Sequence, residues 1–322
     1  MQRAAVCDTP GGPEKIHLGK APMPTLVPGH VIVNNKVVGV NFHDVMRRKN
    51  SYPGISFPTI LGREGVGIIS EVSADVKSFK VGDRVTYTST NHTYCDYSLV
   101  NAGLVQKIPD DIDFETAACA TLQALTVHYL VTTSHELKKG QWALVQAAAG
   151  GTGLLLVQAC KLLGAKVIGT VSSEAKFGEV IQAGADHVIL STTPHDKFIA
   201  QVSAWSNGGV HVSYESVGLA TWKLSLDALR PRGSLVAYGQ SSGPIPPINA
   251  GQLNGSKKFV TGSLIDHISD PEEYRWRMNE VWGWVRSGMK FKIYKVYDLK
   301  DADRAHVDLD SRKTIGKLLL KL

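Results

Sequence analysis

The stretch Ala147-Ala148-Ala149-Gly150-Gly151-Thr152-Gly153 decides the fold of this 322-residue chain. It follows an apolar strand candidate at 141–147 and opens a helix candidate at 152–163. The pattern is the dinucleotide fingerprint G-x-G-x-x-G with Ala148 in place of the first glycine. Glycines let the backbone approach a pyrophosphate, and the helix N-terminus supplies unpaired N–H groups. The context therefore favours a dinucleotide site over a merely flexible turn.

Short apolar strands alternate with helix-length stretches through the middle of the chain. The predicted strands are 141–147, 166–171, 187–190, 210–215, 234–239 and 259–264, and the predicted helices are 152–163, 174–183, 195–205 and 221–229. Such alternation indicates βαβ units in a parallel sheet with helices on both faces. We predict an α/β fold with a Rossmann doubly wound six-stranded sheet.

The two ends of the chain lack this rhythm. Residues 30–40 and 65–72 are β-rich and are interrupted by turn sequences, whereas the last residues offer one helix, 271–288, and two short β runs near 293–297 and 315–320. The C-terminal elements are too few to form a domain. We therefore predict a catalytic domain from 1–122 and 265–322, and a dinucleotide-binding domain from 123–264.

The end of the second Rossmann strand indicates which dinucleotide is bound. An NAD site usually places Asp or Glu about 20 residues after the motif. Here Val171 occupies that position and Ser172, Ser173 and Lys176 follow, a set that can donate hydrogen bonds to a 2′-phosphate. The alternative makes the serines a helix cap and Lys176 a surface residue, and both interpretations can hold together. The sequence predicts NADPH rather than NADH.

Composition excludes several classes of protein. With 43% hydrophobic and 20% charged residues the chain can fill two cores, which excludes intrinsic disorder. The net charge of +6 suits a phosphorylated cofactor without requiring nucleic acid. Four scattered cysteines favour neither disulfides nor a zinc ribbon. No apolar run reaches the roughly 18 residues of a membrane helix, and the N-terminus resembles no signal peptide, so we expect a cytoplasmic protein.

Further motifs match one family along nearly the whole chain. They are Gly39-Val40-Asn41-Phe42-His43-Asp44, Gly62-Arg63-Glu64-Gly65-Val66-Gly67, 81–85, 123–127, the glycine-rich loop, Ser216-Val217-Gly218, 238–243 and 311–317. The chain resembles the zinc-independent quinone oxidoreductases of the zeta-crystallin type, in the medium-chain dehydrogenase/reductase superfamily. This resemblance implies a GroES-like β-rich catalytic domain beside the Rossmann domain, with NADPH in the cleft between them.

The resemblance also implies individual site residues. Asn41 and Thr126 would lie near the nicotinamide, Leu264 beside its amide, and Arg312 would reach the cofactor. The complete predicted cofactor set is Asn41, Met46, Thr126, Gly150, Gly151, Thr152, Gly153, Gly169, Ser172, Ser173, Lys176, Val217, Tyr238, Gly239, Ser241, Leu264 and Arg312. Asn41 and Tyr52 are the predicted catalytic residues on the substrate side. Met46 departs from a cleft tyrosine of several relatives.

Two alternative enzyme classes fail on particular residues. Zinc alcohol dehydrogenases share the superfamily fold, but their first cysteine position is Asn41 here and their motif histidine is Arg63, which cannot coordinate a cation. We therefore predict no metal. Residues 239–243 match the serine hydrolase motif G-x-S-x-G, yet Pro244, Pro246 and Pro247 exclude the helix that must follow.

A nucleic-acid-binding protein is the alternative from another class. Basic clusters occur at 47–49, 138–139, 257–258 and 290–295, the last with interleaved tyrosine. Relatives of the zeta-crystallin type bind single-stranded, AU-rich RNA, so single-stranded RNA or DNA stays open as a partner, although no recognised module is present. The favoured prediction is an NADPH-dependent quinone reductase that acts on quinones or conjugated carbonyls, forming a homodimer through the edge of its sixth Rossmann strand.

Overall fold

A computed structural model describes residues 1–51 and 54–322. Its strands are β1 (Gln2–Cys7), β2 (Ile16–Ala21), β3 (His30–Val40), β4 (Thr59–Ile60), β5 (Glu64–Val72), β6 (Arg84–Thr88), β7 (Tyr97–Asn101), β8 (Val105–Lys107), β9 (Trp142–Val145), β10 (Lys166–Val171), β11 (His187–Leu190), β12 (Val210–Glu215), β13 (Leu229–Ala237), β14 (Lys258–Thr261), β15 (Ile293–Asp298) and β16 (Lys317–Lys321). Its α-helices are α1 (Phe42–Arg48), α2 (Phe114–Cys119), α3 (Leu125–Tyr129), α4 (Gly151–Leu162), α5 (Phe177–Gln182), α6 (His195–Ser206), α7 (Trp222–Asp227), α8 (Pro271–Arg286) and α9 (Ala302–Asp310).

The chain divides into two compact units. The first unit contains Met1–Leu122, His267–Glu280 and Phe291–Leu322, and the second contains Gln123–Asp266 and Val281–Lys290. Each unit has a hydrophobic core of its own. The segmented first unit follows from the pairing of β16 with β3, which joins the C-terminal strand to an N-terminal one.

The second unit contains the predicted parallel sheet. Its strand order is β11-β10-β9-β12-β13-β14, and every neighbouring pair is parallel. This is the doubly wound order. The strands β10 and β11 are added on one side of β9, and the chain then crosses to the other side of β9 to form β12, β13 and β14. Apolar side chains from the strands and from α6 and α7 fill the core. The predicted fold class is confirmed.

Three element boundaries in this unit lie clearly away from their predicted positions. The helix predicted at 221–229 ends at Asp227, and β13 begins at Leu229 and runs through Pro231. A register shift in the pairing of β12 with β13 accommodates this proline, because the ladder is interrupted there. The sixth strand ends at Thr261 rather than at Leu264, which begins a 3₁₀ turn.

The first unit is built mainly from antiparallel sheet. One sheet has the order β2-β1-β4, and the other has the order β15-β16-β3-β5-β6-β8, with β7 also pairing β3. Alternating apolar residues of β3 and β6, with Ile69 of β5, supply one core, and the C-terminal strands supply part of another. This unit is the β-rich domain that the resemblance implied.

The sequence prediction of a single C-terminal helix was wrong, because α9 follows α8. Helix α9 buries only Ala302, Ala305 and His306, so its sequence carries too weak an apolar stripe to be detected by periodicity. Helix α1 was also missed, since seven residues are too few to show a period. Among the described residues, no helix combines the length and the apolar character needed to cross a membrane.

Candidate functional site

The carboxyl ends of the parallel strands bring the Rossmann-domain site residues to one edge of the sheet. Val145 of β9 pairs with Gly169 of β10, and Glu215 of β12 pairs with Ala237 of β13. The glycine-rich loop, Ser172 and Ser173, Val217, and Tyr238 and Gly239 directly follow these strand ends. Open α/β sheets bind ligands at this edge, where the strand order reverses.

The glycine-rich loop presents the start of α4 without a side-chain cap. Gly150 occupies the N-cap position, its extended backbone has φ −71° and ψ 166°, and the first turn holds no acidic residue. The backbone N–H groups of Gly151, Thr152 and Gly153 therefore begin a twelve-residue helix whose own first turn carries no carboxylate. Such a terminus favours an anionic group through its N–H donors and the helix dipole.

The glycines of this site have distinct packing roles. A Cβ on Gly153 would lie 2.4 Å from the Ala147 carbonyl oxygen, and one on Gly169 would lie 2.6 Å from Val180 Cγ1. These two positions must be glycine because the helix, strand and loop approach so closely. At Gly150 the nearest atom to an added Cβ is the Ala147 oxygen at 3.3 Å, so internal packing alone does not demand a glycine there.

The residues after β10 form the predicted 2′-phosphate site. Ser172 and Ser173 are exposed, and Ser173 precedes the 3₁₀ turn Glu174–Lys176. Lys176 is half-buried on that turn, and burial lowers the pKa of its ammonium group. Two hydroxyls and an ammonium thus stand within five residues of Val171, which is buried at the end of the strand.

The loops after β12 and β13 are joined by backbone hydrogen bonds. The Ser241 N–H donates to the Ser216 carbonyl, and the Ser242 N–H donates to the Val217 carbonyl over 2.7 Å. A Cβ on Gly239 would lie 2.7 Å from the Ser216 carbonyl oxygen. Val217, Tyr238, Gly239 and Ser241 therefore belong to one connected surface of the second unit.

Two other predicted residues of this unit lie away from strand ends. Thr126 is buried in α3, and Leu264 is half-buried at the start of its 3₁₀ turn. Sequence reasoning missed Gln123, whose side-chain amide lies 2.5 Å from where a Cβ on Gly151 would be. Gln123 thus covers the first turn of α4. Its position in the family motif 123–127 was the available signal.

In the first unit, Asn41 is held by two buried charged residues. Its Nδ2 donates to Glu64 Oε1 over 2.8 Å, and its Oδ1 accepts from Lys317 Nζ over 2.7 Å. Lys317 also donates to Glu64 Oε1 over 2.5 Å, while Glu64 Oε2 accepts from the Leu122 N–H. The amide of Asn41 therefore has a fixed orientation. If its oxygen and nitrogen were exchanged, the oxygen would face the Glu64 carboxylate and the NH₂ group would face the Lys317 ammonium.

A second buried chain starts at the backbone of Asn41. The Asn41 N–H and the Tyr94 hydroxyl both donate to Asp44 Oδ2, at 2.9 and 3.0 Å. Tyr94 lies 3.3 Å from His306 Nε2, and Arg48 Nη1 donates to His306 Nδ1 over 3.0 Å. Because arginine can only donate, Nδ1 accepts and Nε2 carries the proton. Burial and Arg48 lower the pKa of His306 to about 3, so the imidazole is neutral.

Two arginines affect the histidines near α1. Burial, Arg63 and Arg47 lower the pKa of His43 to about 3, and burial and Arg47 lower the pKa of His92. Both imidazoles are thus disfavoured as proton donors. Within residues 1–51 and 54–322, no group of three or more His, Cys, Asp or Glu side chains is arranged to hold a metal ion.

The remaining predicted residues of the first unit have separate positions. Met46 is half-buried in α1, Arg312 is exposed after α9 with φ 59°, and Tyr52 lies outside the described residues.

The basic cluster at 47–49 is not a continuous surface, because Arg48 is fully buried and paired with Asp310 over 2.5 Å. Glu64 and Lys317, which sequence reasoning missed, lie within quoted family motifs but gave no signal of pairing.

Comparisons with known proteins match both units. The chain matches the family model described as alcohol dehydrogenase GroES-like domain over residues 27–113 and that described as zinc-binding dehydrogenase over residues 151–282. A quinone oxidoreductase of Salmonella typhimurium is 40% identical over 317 residues, which cover 96% of each chain. The chain belongs to the quinone oxidoreductase family. This family lies in the medium-chain dehydrogenase/reductase superfamily, so the resemblance given by the motifs is confirmed.

Other similarities place the chain among quinone oxidoreductases and related reductases. The structure of Escherichia coli quinone oxidoreductase complexed with NADPH matches with a TM-score of 0.95 and 37% identity, covering 99% of this chain and 100% of that one. A 2-haloacrylate reductase of Burkholderia is 32% identical and covers 99% of each chain. The nucleic-acid-binding alternative gains no support from these comparisons.

Proposed function

We propose that this protein is an NADPH-dependent oxidoreductase that reduces quinones or related conjugated carbonyl compounds without a metal ion. The observation that carries the proposal is the uncapped start of α4 at Gly150, next to the hydroxyls and ammonium after β10. That arrangement offers one group of donors to a pyrophosphate and a second to a 2′-phosphate. The family relationship and the NADPH-bound E. coli relative support the same conclusion.

Residues of the second unit would hold the cofactor along the sheet edge. Gly150–Gly153 would contact the pyrophosphate, with Gly169 allowing close packing behind it, and Ser172, Ser173 and Lys176 would contact the 2′-phosphate. The nicotinamide end would lie against Thr126, Val217, Tyr238, Gly239, Ser241 and Leu264. When bound, NADPH supplies the reducing equivalents for the substrate, and the protein supplies position and a shielded environment.

Residues of the first unit would serve the substrate side. Glu64 and Lys317 hold the Asn41 side chain in one orientation, and we assign Asn41 and Tyr52 to the substrate side of the site. Met46 and Arg312 are proposed cofactor contacts from this unit.

Metal-free reduction is supported by the chemistry around Asn41. An ammonium group lies 2.7 Å from the Asn41 oxygen, so a cation at this position would be repelled. The Asn41 amide oxygen accepts a hydrogen bond from Lys317, and its nitrogen donates one to Glu64. Without a Lewis acid to lower the pKa of an alcohol, reduction of an electron-poor carbonyl is favoured over oxidation of an alcohol.

The proposal also covers the domain division, the oligomeric state and the location of the enzyme. Residues 1–122 and 265–322 are proposed as the catalytic domain and 123–264 as the NADPH-binding domain. Strand β14 ends the sheet order and is largely exposed, which supports a homodimer formed by pairing at that edge. We propose a cytoplasmic location.

Binding of NADPH to a matched pair of glycine variants tests the cofactor site. In Gly150→Ala the added Cβ lies 3.3 Å from the Ala147 carbonyl oxygen, a tight contact that needs only a small shift, and its methyl group takes space where the pyrophosphate must approach. The thermal unfolding temperature of the variant checks that the fold is kept. Gly178→Ala is the control, because an added Cβ there meets nothing within 4 Å. We expect Gly150→Ala to lose NADPH affinity and Gly178→Ala to retain it. Equal affinities in both variants would contradict the proposed site.

A further inference from the structure

A buried carboxylate lies beneath the loop that follows β12. Glu215 is the last residue of the strand and is fully buried. Its Oε1 accepts from the backbone N–H groups of Val217 and Gly218, at 2.6 and 2.9 Å. This one side chain therefore fixes the path of the loop formed by Ser216, Val217 and Gly218.

Two side-chain hydroxyls also donate to Glu215. The Thr221 hydroxyl lies 2.9 Å from both carboxylate oxygens, and the Ser225 hydroxyl donates to Oε2 over 2.6 Å. The pKa of Glu215 is raised above its ordinary value, because the effect of burial exceeds that of the hydrogen bonds from Ser225, Gly218, Val217 and Thr221. The ionised carboxylate accepts from all four of these donors at once, whereas a proton on it would displace at least one of them.

A directional chain of hydrogen bonds connects Glu215 with the glycine-rich loop. The Ala147 N–H donates to Thr170 Oγ1 over 3.2 Å, and Thr170 donates to Gln146 Oε1 over 2.6 Å. Gln146 Nε2 then donates to Ser225 Oγ over 2.9 Å, and Ser225 donates to Glu215. A backbone N–H can only donate, so each later group has a fixed direction and the chain must end on an acceptor. Glu215 is that acceptor.

The loop that Glu215 fixes supports its neighbour in turn. The Val217 carbonyl accepts from both the N–H and the hydroxyl of Ser242, each over 2.7 Å. The Ser242 hydroxyl also accepts from the Ala220 N–H over 3.0 Å. The loop after β13 is thus built on the loop after β12, and both follow strands whose ends pair at Glu215 and Ala237.

We infer that Glu215 is a positioning residue for NADPH, holding the loops 216–218 and 238–243 in the arrangement that receives the nicotinamide end. This inference rests on the proposed function, because that function assigns Val217, Tyr238, Gly239 and Ser241 to this end of the cofactor. Glu215 itself is buried behind the loop and contacts the cofactor only through the backbone that it holds. Its loss should affect the nicotinamide end more strongly than the adenosine end, because the loop 216–218 contacts Glu215 directly and the glycine-rich loop only through the chain of hydrogen bonds.

Two ligands separate a positioning role from general loss of structure. Adenosine 2′,5′-bisphosphate carries the adenosine half of NADPH and lacks the nicotinamide, so it depends on the sites after β9 and β10. In Glu215→Gln an NH₂ group replaces one carboxylate oxygen. The two backbone N–H groups and the two hydroxyls that donate to Glu215 then lose one of their acceptors. We expect the Kd for NADPH to rise about tenfold or more, as for loss of hydrogen bonds to a charged group. The Kd for the bisphosphate should rise far less, because Glu215 reaches that end only through Ser225, Gln146 and Thr170.

Exchange rates of backbone amides provide a readout independent of turnover. The N–H groups of Val217 and Gly218 should exchange faster in Glu215→Gln than in the wild type, because their acceptor is weakened. Glu136→Gln is the control, since Glu136 is an exposed carboxylate of the same unit. It should change neither affinity nor exchange at these two amides.

The possible results separate the inference from the proposed function. Wild-type protein that binds no NADPH would contradict the proposed function and this inference with it. Wild-type binding with an unchanged Kd in Glu215→Gln, or an equal loss for both ligands, would contradict the role of Glu215 alone. If Glu215→Gln does not fold, Glu215→Asp replaces it, since a shorter carboxylate keeps the charge. The same selective loss for NADPH is expected, and its absence would overturn the inference.

Discussion

Lys317 and Glu64 form a buried ion pair that joins two strands 253 residues apart in the chain. The side chains are 2% and 0% exposed, and Lys317 Nζ lies 2.5 Å from Glu64 Oε1. Asn41 contacts both partners through its amide. Gly39 makes room for this cluster, because a Cβ there would lie 2.1 Å from Glu64 Oε1. The pair therefore fixes the predicted substrate-side amide inside the β-rich unit.

Lys317→Met should strongly destabilise the first unit. It leaves the Glu64 carboxylate buried without a cation, which costs about 3–5 kcal/mol in comparable pairs. The double variant Lys317→Met/Glu64→Gln should recover much of this loss, because no unpaired charge remains. Urea unfolding of the two single variants and the double variant measures the coupling.

Lys321→Met provides the control, since Lys321 lies on the same strand and is exposed. It should change the free energy of unfolding by no more than about 0.5 kcal/mol. A Lys317→Met variant as stable as Lys321→Met would contradict the importance of the buried pair.

His306 should make stability depend on acid pH. Its pKa is about 3 in the folded protein, against 6.5 for an ordinary histidine, so between these values the unfolded chain binds the additional proton. Stability therefore falls as the pH drops through 6.5, by up to about 1.4 kcal/mol per pH unit for this group. His306→Gln should remove that contribution and become relatively more stable in acid. Parallel unfolding curves across this range would contradict a neutral, buried His306.

The Rossmann unit could be predicted in detail because its signals are local. Each strand is a short apolar run, and Gly164 and Gly184, both with positive φ, mark the ends of helical segments. The glycine-rich loop marks the site by residue type alone. The predicted strand in the β13 region was too short, because a proline such as Pro231 usually ends a strand. The irregular pairing that accommodates Pro231 depends on the neighbouring strand β12 and is not visible in the local sequence.

The polar clusters could not be predicted because they depend on tertiary contacts. Nothing in the sequence near Glu64 indicates Lys317, and the pairing appears only once β16 lies beside β3. Glu215 offered a weak signal, since a carboxylate closes an otherwise apolar strand, but its donors come from α7 and from the following loop. Helix α9 likewise gains its buried face only after the C-terminal strands are in place.

The residues after β10 should determine cofactor preference. Lys176→Ala should raise the KM for NADPH about 10- to 150-fold and leave that for NADH nearly unchanged, because it removes a charged donor to the 2′-phosphate. Lys166→Ala is the control, since Lys166 is exposed at the opposite end of the same strand. An unchanged ratio of kcat/KM for the two cofactors in Lys176→Ala would make Lys176 an ordinary surface residue.

A carboxylate introduced at Ser172 should shift preference the other way. Ser172→Asp would repel the 2′-phosphate and offer an acceptor to the ribose hydroxyl of NADH. Ser172 is exposed, unlike Val171, which is 2% exposed and would bury the new charge. The ratio of kcat/KM for NADH and NADPH measures the change, and a ratio equal to that of the wild type would contradict this placement of the phosphate site.

Prolonged chelation should leave turnover intact. Lys317 and Glu64 occupy both polar atoms of the Asn41 amide, and Arg63 cannot ligate a cation. Activity should be the same after dialysis against a strong chelator, and added zinc should not increase it. Loss of activity that zinc restores would show that the metal-free account is wrong.

The most direct test of the proposed function is the steady-state oxidation of NADPH by purified protein, measured against a panel of quinones, conjugated enones and simple aldehydes, with NADP⁺ and primary alcohols as the reverse assay. We predict turnover with quinones or enones, little with simple aldehydes, and none in the alcohol direction. The Gly150→Ala variant should lose this turnover and Gly178→Ala should keep it. Efficient alcohol oxidation without any turnover of quinones or enones would contradict the account.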